Sequence, residues 1–399
     1  MAWTDRYVRS DASGSGTGLT DTPSDAWTLP QVITNIGNGA ATDDWRINIR
    51  GGVYSFGSTS YSFSINSSAT SPKKVWWRGF ATTPGDLDST PVIPNQAWTG
   101  PDIRFTTGAA SLNGLNSVLS NIKIVTTSGA STTLNMSPAN IGFESIIVRC
   151  WLENQGTGIP LTIGQVGLPH RIRAYGCYLK ASASAARVIA VTTSSAVHSC
   201  IIDGGVHGYT AGGGGGVSAS FYNCIFRNQS GSCMFHNGVT GTSSFIALNN
   251  IFYKPGSHGI AFNPAAPPQN IMPVMNNVFI GCGGYGISST DNTTLSINYA
   301  ASIIRIGNKF FGNVSGNENF LGEYQGHENV QLTENPFVDG DNWDFRLKSS
   351  SLSSMYGFPY VFTGPTTQVS SDYASPYKAS ASSGGGLILP RPMNGGYSA

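Results

Sequence analysis

The strongest constraint on this chain is a repeat. Seven short segments align with one another: "RCWLEN" from residue 149, "GCYLKA" from 176, "SCIIDG" from 199, "NCIFRN" from 223, "NNIFYK" from 249, "NNVFIG" from 276 and "GNKFFG" from 307. Their second positions are Cys150, Cys177, Cys200, Cys224, Asn250, Asn277 and Asn308, separated by 27, 23, 24, 26, 27 and 31 residues. Apolar and polar residues alternate in short bursts, as in "SFIALNNIFY", with Gly, Ser and Asn between the bursts and no helical spacing. A period of this length, built only from short strands and turns, predicts a single-stranded parallel β-helix in which each repeat is one coil. Successive coils then pair strand on strand at about 4.8 Å.

In such a solenoid, a residue type that recurs at one place in the period stacks on itself along the axis. The Cys row is therefore read as small hydrophobes filling the interior, and the Asn row as side chains that satisfy turn backbone groups. The six cysteines, these four with Cys233 and Cys282, are expected as free thiols: there is no CxxC pair and no secretory leader.

Composition agrees with one long all-β body. Charged residues are 11% of the 399, against about 25% in an average soluble protein. Hydrophobic residues reach 40% and glycines number 50, which describes a folded, turn-rich chain and not a disordered one. A net charge of +1 with no Lys/Arg run gives no electrostatic footprint for nucleic acid. No apolar stretch is long enough to span a bilayer, so no membrane insertion is expected. "MAWTDRYVRSDASGSG" lacks the apolar core of a signal peptide, which predicts assembly in a host cytoplasm without a leader.

The ends differ from the middle. "SDAWTLPQVITNIGNG" predicts a short helix capped by Ser24 or Asp25 and ended by Gly37. Residues 1–44 are read as an N-terminal strand and helix cap, since an open solenoid end exposes unpaired backbone and core. Residues 45–352 are read as the β-helix, and 353–399, rich in Gly, Pro and Ser, as an extended arm.

The order "YVRSD…W.L…I…INIRGGVYSF" followed by "VWWRGFATTPGDLDSTPVI", with "NPFVDGDNWDFRLKSSS" at 335–351, resembles right-handed parallel β-helix proteins of the pectate-lyase-like superfamily, most like phage virion members. The resemblance covers residues 1 to about 352 and implies the right-handed architecture. It leaves activity open, because the superfamily holds lyases, hydrolases, adhesins and phage spikes.

Asp203 and His207-Gly208 in "CIIDGGVHGYTAGGGGG" resemble part of a pectin-hydrolase set, but the paired Asp motif of those enzymes is missing. His207-Gly208 also recurs within one residue at His258-Gly259 and Tyr285-Gly286, so it reads as a rung of the scaffold with glycine supplying a backbone shape. The repeat-region carboxylates Glu144, Glu153, Asp203, Asp291 and Glu318 form no calcium cluster on adjacent coils, and Arg171 and Arg173 have no matched acids. Asp43-Asp44 reads as surface. "GEYQGHENVQLTENP", residues 322–336, gathers Glu323, Tyr324, His327, Glu328 and Glu334 and reads as a polar loop, with metal binding or glycoside cleavage as its other reading. Trp76, Trp77, Trp98 and Trp151 are candidates for sugar stacking, and alternation in "KKVWWRGF" sends one of Trp76 and Trp77 inward.

No catalytic, cofactor-binding or metal residue is assigned, and no cofactor is expected. The expected function is that of a non-catalytic phage virion surface protein, either tailspike-like or a capsid or tail decoration. Its expected partners are other virion proteins and host surface polysaccharide, and its expected assembly is a homotrimer. The alternative is a polysaccharide lyase or glycoside hydrolase.

Overall fold

The computed structural model describes residues 3–36, 43–64, 73–94, 96–113, 116–137, 144–164, 171–191, 195–211, 218–236, 244–262, 271–289, 303–320 and 328–351. Up to Gln331 the described strands sort into three parallel sheets, A and B of eleven strands and C of ten. One coil shows the path. Glu144–Val148 lies in sheet A, Trp151–Asn154 in sheet B and Leu161–Ile163 in sheet C, and Arg171–Tyr175 then returns to sheet A beside Glu144–Val148. The chain is an all-β parallel solenoid, and its described part contains one α-helix, Leu29–Ile36.

The corner from sheet A to sheet B is a single residue in the left-handed region. Asn121, Arg149, Gly176, Ser199, Asn223, Asn249, Asn276, Gly307 and Glu328 occupy it in turn, with φ between 50 and 66°. This conformation costs most residues about 1–2 kcal/mol, less for Asn and nothing steric for Gly, which explains the Asn and Gly that precede the ladder.

The next residue in each coil is the ladder position, and its polar members fasten coil to coil. Asn277 Oδ1 accepts from Asn250 N at 2.9 Å, Asn308 Oδ1 from Asn277 N at 3.0 Å, and Asn329 Oδ1 from Asn308 N at 2.9 Å. Each amide also donates backwards, Asn250 Nδ2 to Phe221 O at 3.1 Å and Asn277 Nδ2 to Ala247 O at 2.9 Å. The cysteines repeat this pattern in weaker form, with Cys224 Sγ 3.4 Å from Val197 O and Cys150 Sγ 3.4 Å from Leu119 O. All six cysteines are free and buried.

Inside sheet B the core changes along the axis. Ile103, Ile124, Leu152, Leu179 and Ile202 lead into Phe226, Phe252, Phe279 and Phe310. The last three ring pairs stack at 5.1, 4.7 and 5.1 Å. Trp77 is fully buried while Trp76 faces out, as alternation requires.

The N-terminal segment enters the solenoid at once, because Thr4–Val8 is already a sheet A strand paired with Trp45–Ile49. The helix is capped by Thr28, not by Ser24 or Asp25. Gln31 Oε1 accepts from Thr28 N at 2.7 Å, a capping box. Asp25 instead closes the preceding loop, accepting from the backbone and hydroxyls of Thr17 and Thr20 at 2.7–2.8 Å. Those bonds hold its carboxyl well below the ordinary range. Gly37 lies outside the described residues.

Pro336–Ala399 forms a second unit. Its strands Phe337–Asp339 and Asp344–Leu347 pair antiparallel, so the "DFRL" segment closes a hairpin and adds no coil to the three sheets. The arm expected at 353–399 lies outside the described residues.

Candidate functional site

Sheet B side chains alternate between the core and the outside. Leu152, Leu179, Ile202 and Phe226 point in, so the residues on either side of each point out. Two outward columns run side by side. One reads Asp102, Lys123, Trp151, Tyr178, and the other Arg104, Val125, Glu153, Lys180, Asp203, Arg227. The second column alternates in sign from Glu153 onward.

The acids are recessed and hold the cations. Arg104 Nη2 donates to Asp102 Oδ2 at 2.7 Å, and Lys180 Nζ lies 3.3 Å from Glu153 Oε1. The side chains of Asp102 and Glu153 are 12% and 10% exposed, whereas those of Arg104 and Lys180 are 51% and 44% exposed. Burial alone raises the Glu153 carboxyl. The Lys180 ammonium, with hydrogen bonds from Gln155 and Trp151 Nε1, outweighs burial and holds it below the usual range.

The aromatic members form one edge-to-face series. Trp98 and Trp151 have centroids 6.4 Å apart, Trp151 and Tyr178 4.8 Å, and Lys123 Nζ sits 4.5 Å over the Trp151 ring. Asp203 is buried beneath them. Its carboxylate accepts from Tyr178 OH and Asn228 Nδ2, each at 2.7 Å, and burial with the Asp203 charge pushes the Tyr178 phenol far up. Both carboxylates are thus occupied by protein donors. The surface offers guanidinium, ammonium and indole.

The other candidate residues fall elsewhere. His207 and His258 share one register position, with Ser232 between them and Tyr285 following. Each ring fastens the next coil, since His207 Nδ1 accepts from Ser232 N at 3.2 Å and His258 Nδ1 from Tyr285 N at 2.9 Å. The glycine after each is required by space and not by backbone shape. A Cβ at Gly208 would lie 2.6 Å from Phe226, and one at Gly259 2.4 Å from Phe279.

Arg171 lies opposite Glu144 in sheet A register, and Arg173 Nη1 donates to Tyr175 OH at 3.3 Å. Glu318 pairs with Arg305 at the end of the core. Asp43 is exposed, and Asp44 accepts from Lys74 N at 2.9 Å. Asp291, Glu323, Tyr324 and His327 lie outside the described residues. Glu328 is the exposed left-handed corner before Asn329. No cluster of three or more metal-ligating side chains occurs among the described residues.

The charged column is readable in the repeats. The fifth letters of the first four segments are Glu153, Lys180, Asp203 and Arg227. A search for acids on neighbouring coils passes over it, because acid alternates with base.

No family model matches the chain, and no curated protein sequence matches it. Among solved structures it is similar to a rhamnogalacturonan lyase, with a TM-score of 0.51 and 10% identity, covering 88% of this chain and 98% of that one. It is also similar to an alginate lyase from Paenibacillus sp. str. FPU-7, with a TM-score of 0.37 and 11% identity over 73% of this chain and 94% of that one. Tailspike protein 3 of bacteriophage CBA120 matches with a TM-score of 0.29 and 11% identity over 72% of this chain and 56% of that one. At 10% identity the likeness to the rhamnogalacturonan lyase is one of fold alone.

Proposed function

We propose that the protein binds an acidic polysaccharide along the outer face of sheet B, as a polysaccharide-active β-solenoid. The observation that carries this reading is the sorting of charge by depth. Recessed Asp102 and Glu153 orient Arg104 and Lys180, which project to solvent from the column beside Trp151 and Tyr178. A uronate chain presents carboxylates to such cations and apolar ring faces to such aromatics. The coils repeat at about 4.8 Å, comparable to the length of one pyranose residue, so charge can be matched along the chain.

The test is calorimetric titration of the full chain with polygalacturonate and alginate, compared with the Arg104→Ala/Lys180→Ala variant. The reading expects binding that weakens with salt and is lost in the double variant. Equal binding by both proteins would overturn it.

A second reading, cleavage by β-elimination, is favoured by the position of Lys180. Its side chain is exposed and lies two residues along the same strand from Tyr178, and elimination needs a cation to neutralise the uronate carboxylate. Ultraviolet absorbance of an unsaturated product during the same incubations separates a lyase from a binder.

A further inference from the structure

A cleft of about 940 Å³ opens at the N-terminal end of the solenoid, on the far side of the strand whose Val53 and Ser55 lie opposite Asp102 and Arg104. The helix Leu29–Ile36 forms one wall, the sheet B strand Gly52–Gly57 the other, and the sheet C strand Tyr61–Ser62 the back. Its size is that of pockets that take small organic ligands, which span about 300–1,000 Å³.

The floor is apolar and aromatic. Tyr54 and Tyr61 are buried there, Ile33 and Phe56 are half-buried, and Phe56 packs 5.1 Å from Tyr61 and 5.4 Å from Phe105. The phenol groups are already engaged, since Tyr61 OH donates to Leu29 O at 2.9 Å and Tyr54 OH to Arg50 O at 2.8 Å. These bonds tie the helix and the first coil together, so the walls are set before any ligand arrives. The rim is hydroxyl: Ser10, Thr34, Ser55, Thr59 and Ser60 are all exposed.

Among the described residues one ionic side chain, Arg9, lines the cleft, and it is engaged. Its guanidinium donates to Asp11 at 2.7 and 2.9 Å and to Asp21 Oδ1 at 3.4 Å. A charged ligand would meet no free counter-charge here. A lipid-like ligand would strand the hydroxyl rim. An uncharged, hydroxyl-rich ligand with apolar ring faces satisfies both surfaces. We infer that this cleft is a binding site for a neutral oligosaccharide, distinct in chemistry from the charged columns that begin on the neighbouring sheet B strand.

The experiment uses the full chain and saturation-transfer NMR with a panel of neutral trisaccharides (cellotriose, maltotriose and chitotriose) at millimolar concentration. Thr59→Trp fills the mouth from an exposed position beyond the strand, and Thr34→Arg changes its charge from an exposed helix position. The inference expects transfer to at least one trisaccharide, lost in both variants. Retained thermal melting and polygalacturonate titration would show that the fold and the sheet B face are untouched. No transfer to any member, or transfer that survives both variants, would overturn it. Loss of polygalacturonate binding in the wild type alone bears on the sheet B proposal and leaves this one standing.

Discussion

Arg305 Nη1 lies 3.5 Å from Glu318 Oε2 at two positions that face the core. One coil earlier the same positions hold Val274 and Ile287. The Arg305 guanidinium also sits 3.8 Å over the Phe320 ring, and Asn329 Nδ2 donates to Glu318 Oε1 at 2.8 Å. At the other end Arg6, on the same sheet A column, lies over Trp27 and Trp45 at 5.5 and 5.0 Å. Each end of the apolar interior therefore terminates in an arginine on an aromatic ring, which makes the last layer polar without leaving the core open.

This arrangement predicts asymmetric costs. Removing one partner, as in Arg305→Met or Glu318→Leu, strands a buried charge and should cost about 3 kcal/mol. The double variant continues the apolar columns and should fall within about 1 kcal/mol of the wild type. Urea unfolding of the three variants measures both. Equal losses in the single and double variants would mean that the pair is not what closes the core.

The Asn ladder makes a second, graded prediction. Asn277 accepts from Asn250 and donates to Ala247 O and Asn308 Oδ1, all buried. Asn277→Ala should cost about 3 kcal/mol, because it leaves several of these groups unpaired. Asn277→Cys should cost less, since Cys224 already serves the analogous role with a thiol near Val197 O. Thermal melting that ranks the two variants the other way would refute the equivalence of Cys and Asn in the ladder.

The interior was legible in the sequence because it is periodic. Cys150 to Asn308 recur at intervals of 23 to 31 residues, and coil geometry stacks residues so spaced. Asn329 escaped the alignment because the last interval shortens to 21 residues and its segment, "ENVQL", has lost the apolar burst. The charged columns were harder for a different reason. Outward positions answer to their neighbours across the rungs and not to a common core, so Glu153, Lys180, Asp203 and Arg227 share a place without sharing a type. The helix cap moved to Thr28 because Asp25 found four donors in the preceding loop, a competition that propensity alone does not rank.

The thiols should be silent in the native state. Burial raises Cys224 and Cys282 to about 12 and Cys150, Cys177 and Cys233 well above the ordinary value, so these five offer no thiolate at pH 8, and Cys200 is buried from reagent in the same ladder. Native protein should react with no equivalents of a disulfide reagent, and guanidinium-unfolded protein with all six. Fast reaction of even one native thiol would contradict the packing of that coil.

His198 predicts a pH dependence. Its ring is stacked between Tyr175 and Tyr222 at 5.0 and 4.7 Å, and burial, helped by the Arg173 charge, lowers it to about 4. Because the folded value lies below the unfolded one of about 6.5, its contribution is fully present above that pH. It is lost as pH falls towards 4, where the unfolded chain takes the proton first. Melting temperature should therefore fall across this window in the wild type, and fall less in His198→Phe, which keeps the stack and removes the titration. Identical pH profiles for the two proteins would remove His198 as a cause.

On the sheet B face the carboxylates and aromatics should separate. If sheet B is the polysaccharide face proposed above, Trp151, whose ring lies under the Lys123 ammonium, stacks on the ligand, and Trp151→Ala should weaken polygalacturonate binding by at least about tenfold. Glu153 acts through Lys180: Glu153→Gln keeps one acceptor oxygen for Trp151 or Gln155 and releases the ammonium from its ion pair. Its effect on binding should be smaller, and it should shrink further as salt screens the cation. If the protein also cleaves the polymer, Glu153→Gln should leave that rate within a fewfold, because a carboxylate already filled by three protein donors has no proton to exchange with substrate. A loss of cleavage with binding intact would reassign Glu153 from holding Lys180 to the chemistry itself.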